Sequence, residues 1–549
     1  MGSILPTILL AFCAWALWRL VSFIRTRIVT AHLQRIRGPQ ATSLWTGNLQ
    51  QFFSRDAAEY QRCLARQYGP VTKLNGFLST PILYVSDPKA LHTILIKEEH
   101  VFHESEDFIS TNKLVFGSHA LVSTLGVQHS RQRKLLNPVF SVNHMRHMIP
   151  LFYNVTYSLR DAIMSRVDGE QHEIDMLGWM GRTALELIGQ GGLGYSFDPL
   201  VEDRTDEYGD ALKSLLPSLS GLALFRKLNV IGPKFLPAWA CRALVEMFPK
   251  GTSVHRVKDI VDTMDTRSRE IFKVKKAAIA KGDAEVVKQA AEGKDIISIL
   301  MRANSVADAA DRLSEEEVIH QMSILIFAAM DTTSNTLSRI LQLLAEHPDT
   351  QEKLRQELSN AGAADGLTYD ELNRLQLLDS ICRETLRVYP PVTMLSRVAT
   401  KDTVLPLSEP IYDKNGKRMD EIAMPKGSEV WLDFFGCNTS KALWGEDAYE
   451  WKPERWMSPL PAAVTDAHIP GVYSNLLTFL GGKRACIGFK FSEMEMKVVL
   501  SVLVTSFTFE LPDKSIKWNV AGVWYPSLKE DRAKPQMPLN VRPYKGTRA

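Results

Sequence analysis

Residues 479–490, FLGGKRACIGFK, lie near the end of the 549-residue chain and form its most specific pattern. It places Cys486 in a short turn, with glycines on both sides and with Lys483 and Arg484 just before it. Neighbouring cations and backbone N–H groups lower the pKa of a thiol, so this cysteine is arranged to act as a thiolate rather than as a packing residue.

The composition is that of an ordinary globular protein. Hydrophobic residues make up 45% of the chain and charged residues 23%, and the formal net charge is only +3. This balance argues against a nucleic-acid binder that depends on a basic surface. The six cysteines lie far apart, without a C-x-x-C pair or histidines at zinc spacing. That spacing argues against a disulfide framework and a structural zinc module, and it fits a reducing compartment.

The N-terminus predicts a membrane anchor. Its first 18 residues carry no charge, and after Arg19 an apolar run continues to residue 24. About 20 apolar residues span a bilayer as a helix, and the arginines that follow place the C-terminal flank in the cytosol. The alternative is a cleaved signal peptide, but a basic n-region and a convincing cleavage site are missing. We predict a single transmembrane signal anchor over 1–24, a basic linker over 25–38 and one domain over 39–549.

The remaining sequence predicts a mainly α protein with small β-sheets (α+β). PVTKLNG (70–76) and PILYVSD (81–87) read as two short strands joined by a turn, and more strand-like pieces follow residue 392. The clearest helix covers 314–346, because Ser314 and Glu317 form a capping box and a proline follows its end. Its middle is apolar on nearly every face, which predicts a helix buried through the centre of the domain.

One motif is misleading. GQGGLG, residues 189–194, matches the dinucleotide-binding fingerprint, which requires a strand before it and a helix after it. Here the preceding sequence is helical and the following sequence is not. We therefore interpret these glycines as the end of a helix.

Four separated motifs point to one chemistry. They are the cysteine stretch, the helical ICRETLRVYPP (381–391), the proline-stiffened YEWKPERW (449–456), and FAAMDTTS (327–334) inside the long helix. In this order and spacing they resemble the cytochrome P-450 family of haem-thiolate monooxygenases, over residues 39–549. The amino-acid sequence of several other stretches is most similar to that of membrane-bound fungal members.

The resemblance implies a fold that holds haem b between the long central helix and the cysteine loop. Cys486 would be the axial iron ligand, because a thiolate pushes electron density towards the iron and favours O–O cleavage. Phe479, Gly482 and Gly488 belong to the same cofactor-binding loop, and the glycines let backbone N–H groups approach the sulfur.

The resemblance also implies a structural charge triad. Glu384 and Arg387 lie three residues apart on one helix face and can pair. Arg455 would join them and lock the cysteine loop to the core.

Cations are needed to bind the two haem propionates. Arg484 matches the arginine of the cysteine loop, and Arg397 matches the one on the strand after the charge-triad helix. His129 stands where the family has tryptophan, and Arg133 follows it by four residues. All four residues are therefore expected at the propionates.

Asp331 and Thr332 match the acid–alcohol pair that the family uses in catalysis. Bound dioxygen needs protons before its O–O bond breaks, and a hydroxyl supplied by a carboxylate can relay them. Ala329 stands where many members have glycine, which we do not interpret as loss of activity.

By resemblance, an apolar substrate pocket draws on several loops and on the central helix. Its predicted residues are Phe108, Phe116, Ile324, Ala328, Leu395, Val523 and Trp524. A mostly apolar cavity near a membrane suits a hydrophobic substrate. We expect a terpenoid or another lipid-like intermediate of fungal secondary metabolism.

The chain contains no flavin or NADPH module, so electrons are expected from a separate membrane-bound NADPH-dependent reductase. Its acidic surface would meet a basic face that includes Arg131, Lys134 and Lys483. These expectations place the protein in the endoplasmic reticulum membrane, in contact with the lipid bilayer and with its catalytic domain facing the cytosol.

The function that follows is monooxygenation, in which a hydrophobic substrate, dioxygen and two electrons give a hydroxylated product and water. One alternative is an oxygen-independent isomerase or dehydratase with the same fold, and Asp331 with Thr332 argues against it. The other alternative is a non-enzymatic membrane haem-binding protein.

Overall fold

A computed structural model describes residues 24–167, 170–198, 200, 207–220, 222, 236–280, 295–532 and 534–544, together with Leu17 and Val21. The predicted anchor therefore lies outside the described residues except at three positions. Within the described ranges, no helix is both long enough and apolar enough to cross a membrane.

Helices are the main secondary structure of the described chain, as the sequence predicts. In chain order they are α1 (Leu49–Phe52), α2 (Ala57–Tyr68), α3 (Pro88–His92), α4 (Glu106–Phe116), α5 (Gly126–Leu136), α6 (Val142–Val167), α7 (Met176–Ile188), α8 (Glu207–Ser220), α9 (Ala238–Glu246), α10 (Ser253–Ala280), α11 (Ile296–Val306), α12 (Glu315–Glu346), α13 (Pro348–Asn360), α14 (Tyr369–Leu372), α15 (Gln376–Val388), α16 (Phe434–Asn438), α17 (Lys441–Trp444), α18 (Ala462–Asp466) and α19 (Phe489–Ser506).

The strands form small sheets. They are β1 (Val71–Asn75), β2 (Pro81–Val85), β3 (Phe102–His103), β4 (His172–Asp175), β5 (Met394–Ala399), β6 (Thr403–Tyr412), β7 (Arg418–Met424), β8 (Glu429–Asp433), β9 (Phe507–Glu510), β10 (Ile516–Ala521), β11 (Val523–Leu528) and β12 (Pro538–Pro543). One sheet has the order β1-β2-β8-β5-β3 and another the order β4-β12-β9, while β6–β7 and β10–β11 are hairpins. The two predicted strands near residue 80 are confirmed as the antiparallel pair β1–β2.

Helix α12 is the centre of the fold. Ser314 caps its N-terminus, and the reciprocal hydrogen bonds with Glu317 form the predicted capping box. The helix ends at Glu346, before Pro348 begins α13. It packs against α7, α10, α15 and α19, and most of its residues are buried in the main hydrophobic core. The prediction of a long, central buried helix is confirmed.

The glycine-rich stretch after α7 ends a helix, as its sequence predicts. Residues Gly189–Leu193 form one wider turn, and Gly194 then adopts a left-handed conformation with φ of 60°. A side chain on Gly194 would lie 2.8 Å from Asp295 Oδ2 and from Lys275 Nζ, which form a buried ion pair 3.0 Å apart. The glycine thus allows α10 and α11 to approach the end of α7. The charged, alanine-rich segment that begins at residue 273 is helical to residue 280, and residues 281–294 lie outside the described residues.

Candidate active site

The cysteine loop connects residue 479 to the start of α19 and is held by its own backbone. The Cys486 N–H donates to the Phe479 carbonyl at 2.8 Å, and the Ala485 N–H donates to the Gly482 carbonyl at 3.1 Å. Gly482 has φ of 70°, and a Cβ there would lie 2.1 Å from the Leu95 carbonyl oxygen. Both the backbone angle and the close approach require glycine at this position.

Two groups beside the Cys486 sulfur favour its anionic form, but burial outweighs them, and the pKa of the thiol is not lowered as the sequence predicts. Burial raises the pKa of the Cys486 thiol, while the Gly488 N–H bonded to the sulfur and the nearby Arg133 guanidinium act to lower it. The side chain is nevertheless exposed. The thiol is exposed, and yet it is surrounded closely enough for burial to dominate its pKa. Both observations fit a sulfur that faces a space inside the molecule. An anionic sulfur in that position can bind a metal ion.

The middle of α12 also borders an internal space. Ala328 is exposed and Thr332, one turn later, is partly exposed, although Met330 and Thr333 of the same helix are buried. The Thr333 and Ser492 hydroxyl oxygens lie 3.1 Å apart and join α12 to α19, the helix that follows the cysteine loop. Thr332 Oγ1 donates to the Ala328 carbonyl at 2.8 Å. The structure therefore brings the predicted alcohol and the helix after the thiolate loop into one region.

Asp331 points to a different cavity from Thr332. This cavity is lined by Lys213 and Leu216 of α8, by Asn335 and by Val523, among others. Burial raises the pKa of Asp331 to about 6, while the positive charge of Lys213 and a hydrogen bond from Asn335 Nδ2 (3.3 Å) act to lower it. A carboxyl group with such a pKa can exchange a proton near neutral pH. Lys213 was not anticipated from the sequence, because it reaches Asp331 through tertiary packing.

The four predicted propionate-binding residues converge from three elements. His129 and Arg133 lie on α5, Arg397 on β5 and Arg484 in the cysteine loop. Arg133 Nη1 donates to the Ala485 carbonyl at 2.8 Å, which joins α5 to the loop. Burial and the charges of Arg484, Arg133 and Lys483 lower the pKa of His129 to about 3, so its ring is neutral. The set offers three cations and one neutral donor, which fits the carboxylates of a haem.

The predicted charge triad is in contact and lies in the core. Glu384 and Arg387 are fully buried and form two hydrogen bonds, at 2.7 and 2.8 Å. Arg455 Nε donates to Glu384 at 3.3 Å, and the Lys452 N–H and Trp456 Nε1 also donate to this carboxylate. The remaining Arg387 hydrogens go to the carbonyls of residues 438, 448 and 450. The triad thereby ties α15 to the segment that precedes the cysteine loop.

Some predicted pocket residues lie around α12. Phe116, at the end of α4, packs on Phe327 with ring centroids 5.1 Å apart. Ile324 and Ala328 are on the same helix, and both are at least partly exposed. Phe108, in the first turn of α4, and Leu395, on β5, are partly buried.

Trp524 does not join this group. It packs instead in a separate small cluster with Ala57 and Val520. Val523, its neighbour on β11, lines the cavity beside Asp331. Successive residues of a strand point to opposite faces, so the two cannot line one pocket. Trp524 thus packs apart from the residues around α12, and its place in the substrate pocket stays a prediction.

The predicted basic face is less positive than the sequence suggests. Arg131 pairs with Glu317 at 2.5 Å, Lys134 pairs with Asp311 at 2.5 Å, and Lys483 pairs with Glu99 at 2.7 Å. These carboxylates come from distant parts of the chain or from a different loop. Each cation of the predicted reductase-binding face is thus offset by an acid of the same chain.

Comparison with known proteins gives the family. The model of the cytochrome P-450 family matches residues 37–529. The chain belongs to the cytochrome P-450 family. It is 58% identical over 513 residues to cytochrome P-450 monooxygenase 81 of Postia placenta, covering 93% of each chain. It is 48% identical to cytochrome P-450 monooxygenase 91 of the same fungus, over the whole of both chains.

A third relative of this cytochrome P-450 carries a more specific name. Ganoderic acid synthetase CYP5150L8 of Ganoderma lucidum is 45% identical over 520 residues, which cover 94% of this chain and 95% of that protein. High identity over nearly the full length, to proteins named as monooxygenases, identifies this protein as a cytochrome P-450 monooxygenase.

Proposed function

We propose that this cytochrome P-450 hydroxylates a hydrophobic, terpenoid-like molecule, with Cys486 as the axial ligand of haem b. The observation that carries the proposal is the environment of the Cys486 sulfur, which faces inward with the Gly488 N–H and the Arg133 guanidinium beside it. A haem bound there would supply the activation of dioxygen, using electrons from NADPH through a separate reductase. The chain's own residues bind the cofactor, orient the substrate and move protons.

Proton transfer is the task of α12. Asp331 takes a proton from the cavity that it shares with Lys213, and its pKa of about 6 lets it both accept and release that proton near neutral pH. Thr332 follows it in the helix, and its hydroxyl is held by the Ala328 carbonyl on the face that borders the internal space. We assign Asp331 the role of proton source and Thr332 that of the donor nearest the substrate.

The substrate class is supported by two observations. Phe116, Phe327, Ile324 and Leu395 offer aromatic and aliphatic surface without a charged side chain among them, which suits an apolar molecule. One relative is named for ganoderic acid, and this name favours a terpenoid among apolar candidates. The carbon that is oxidised depends on side-chain placement around the bound molecule.

A position at the membrane of the endoplasmic reticulum is part of the proposal. Besides the apolar sequence before residue 25, a second apolar surface supports it. Trp239 and Met247, at the two ends of α9, are 75% and 79% exposed, and Leu244 and Phe248 are exposed beside them. A clustered apolar surface of this kind favours contact with a bilayer. Removal of residues 1–24 together with Trp239→Ser and Met247→Ser should release the protein from microsomes, whereas either change alone should leave part of it bound.

The first test is the carbon monoxide difference spectrum of the reduced protein. Wild type should give the red-shifted Soret band of a thiolate ligand, and Cys486→Ser should lose it. Cys63→Ser is the matched control, because Cys63 lies in α2 at intermediate burial and should leave the band intact. A wild type that folds without haem would refute the proposed function.

The second test concerns the substrate. Terpenoids and fatty acids of similar size are titrated into the ferric protein, and substrate binding is measured as the shift of the Soret band. We expect terpenoids to bind more tightly and to give oxygenated products with reductase and NADPH. Equal or tighter binding of fatty acids, with products from them alone, would overturn the terpenoid assignment.

A further inference from the structure

Glu104 is a buried carboxylate at the haem-binding arginines that sequence analysis did not single out. Its side chain is 8% exposed. Its Oε1 lies 3.1 Å from Arg484 Nε and 3.4 Å from Arg397 Nη2. Burial lowers the pKa of both guanidinium groups, and the Glu104 charge opposes this. One carboxylate oxygen therefore bridges two cations that would otherwise repel each other.

The backbone on both sides of Glu104 is fixed. It directly follows β3, whose pairing with β5 sets Phe102 opposite Ala399 and His103 opposite Val398. The same register, continued by one residue, places Glu104 opposite Arg397. On its other side, Ser105 Oγ accepts a hydrogen bond from the Phe108 N–H and thereby caps α4. The carboxylate is held in place by a strand pair and a helix cap, so its contact with the arginines is built into the fold.

The contact between Glu104 and the two arginines balances the charges at the proposed haem site. Arg133, Arg397 and Arg484 bring three positive charges to the site, and His129 is neutral because its pKa is about 3. The two propionates of a haem offset two of these charges. Glu104 supplies the third negative charge, and buried charges are tolerated when they are paired and hydrogen-bonded.

We propose that Glu104 is a positioning residue for the haem, a carboxylate that bridges Arg397 and Arg484 and orients both guanidinium groups towards the propionates. The inference rests on the proposed function, since it requires haem at this site. In this role Glu104 does not touch the substrate or the iron. It acts through the two arginines, and it keeps them paired before the haem is loaded.

The first test measures how fast the ferric holoenzyme transfers its haem to excess apomyoglobin. Glu104→Gln keeps the shape of the side chain and removes its charge, and we expect haem loss roughly tenfold faster, because hydrogen bonds to charged groups are worth about twice neutral ones. Glu99→Gln is the matched control. It removes the same charge from the same segment, but its partner Lys483 is mostly exposed, so haem loss should stay at the wild-type rate.

The second test separates positioning from a purely structural role. Loss of a negative charge beside the haem should raise its midpoint reduction potential in Glu104→Gln, whereas Glu104→Asp should stay near wild type while losing haem faster. If Glu104→Gln does not load haem at all, the rate of haem loss and the midpoint reduction potential are measured for Glu104→Asp alone. If the variant retains haem as long as wild type does, or longer, the proposal is overturned. The carboxylate would then either not contribute to haem retention or compete with the propionates for the arginines. A wild type without haem would refute the proposed function instead.

Discussion

Glu384→Gln should cost the protein a large part of its stability, because the carboxylate of Glu384 is the hub of a buried network. Five N–H groups donate to it: two from Arg387 and one each from Arg455, Lys452 and Trp456. Glutamine has the same size and opens no cavity. It leaves Arg387 without its counter-charge, however, and turns one oxygen into a donor that faces other donors, while Arg455 keeps its ion pair with Asp447.

The size of the effect follows from burial. Glu384 and Arg387 are 0% exposed. Removing one partner of a buried pair costs ~3–5 kcal/mol, against a total stability of about 5–15 kcal/mol for a typical protein. With a urea dependence of ~3 kcal/mol per molar, the unfolding midpoint should fall by roughly 1 M or more. Haem content, measured from the Soret absorbance, should fall with it.

Asp370→Asn is the matched control for this experiment. Arg146 also makes two hydrogen bonds to its carboxylate, at 2.9 and 3.2 Å, but the two side chains are 49% and 54% exposed. An exposed pair is screened by solvent and contributes little to stability, so the urea midpoint should stay close to that of wild type. Equal midpoints for the two variants would show that burial does not set the strength of the triad, and our reasoning would fail.

Further substitutions give three separate predictions. Asp331→Asn should lower the amount of product formed per NADPH consumed. It should also stabilise the protein at pH 7 by ~1–3 kcal/mol, because burial raises the carboxyl pKa to about 6. Gly482→Ala should abolish haem binding in a spectral assay through its clash with a backbone oxygen, whereas Gly416→Ala, whose positive φ is similar but whose surroundings are open, should lower only the melting temperature slightly. Trp524→Ala should lower the melting temperature without changing the substrate-induced spectral shift, whereas Phe116→Ala should weaken that shift. A shift that is weakened by Trp524→Ala and unchanged by Phe116→Ala would place Trp524 in the pocket.

The stabilisation expected for Asp331→Asn depends on pH in a definite direction. In the folded protein the carboxyl pKa is about 6, against a usual value of 3.8. Between these values the folded state binds more protons than the unfolded state, so the contribution of Asp331 to stability falls as pH rises. The free energy of unfolding of the asparagine variant should therefore rise relative to that of wild type between about pH 4 and pH 6. Above pH 6 the difference should stay constant. A pH-independent difference in urea midpoint would contradict this assignment.

Local signals explain what the sequence predicted well. The bounds of α12 follow from a capping box, a terminal proline and an apolar middle, all within 35 consecutive residues. The pairing of Glu384 with Arg387 follows from their spacing on one helix turn. The end of α7 at a glycine cluster follows from the absence of a strand before it and a helix after it. Each of these features depends on residues close in the chain.

Features that depend on distant residues were not predicted from the sequence. Glu104 meets Arg397 only because β3 pairs with β5, almost 300 residues later, and no local pattern reveals that register. Arg131 is offset by Glu317, which lies 186 residues away. Trp524 and Val523 differ by one position in a strand, and which of them faces Asp331 depends on how the β10–β11 hairpin sits on the core.

Three buried carboxyl groups show why Asp331 in particular suits proton transfer. Glu384 accepts five N–H donors, two of them from one guanidinium, so its role is structural. Glu495, on α19, has both oxygens buried without a hydrogen-bond partner among the described residues, and burial raises its pKa far above the usual range, so it stays neutral. Asp331 lies between these extremes, with an amide donor and a nearby ammonium that offset part of its burial. A group that both gains and loses its proton near neutral pH must be neither saturated with donors nor deprived of them, and of the three only Asp331 meets that condition.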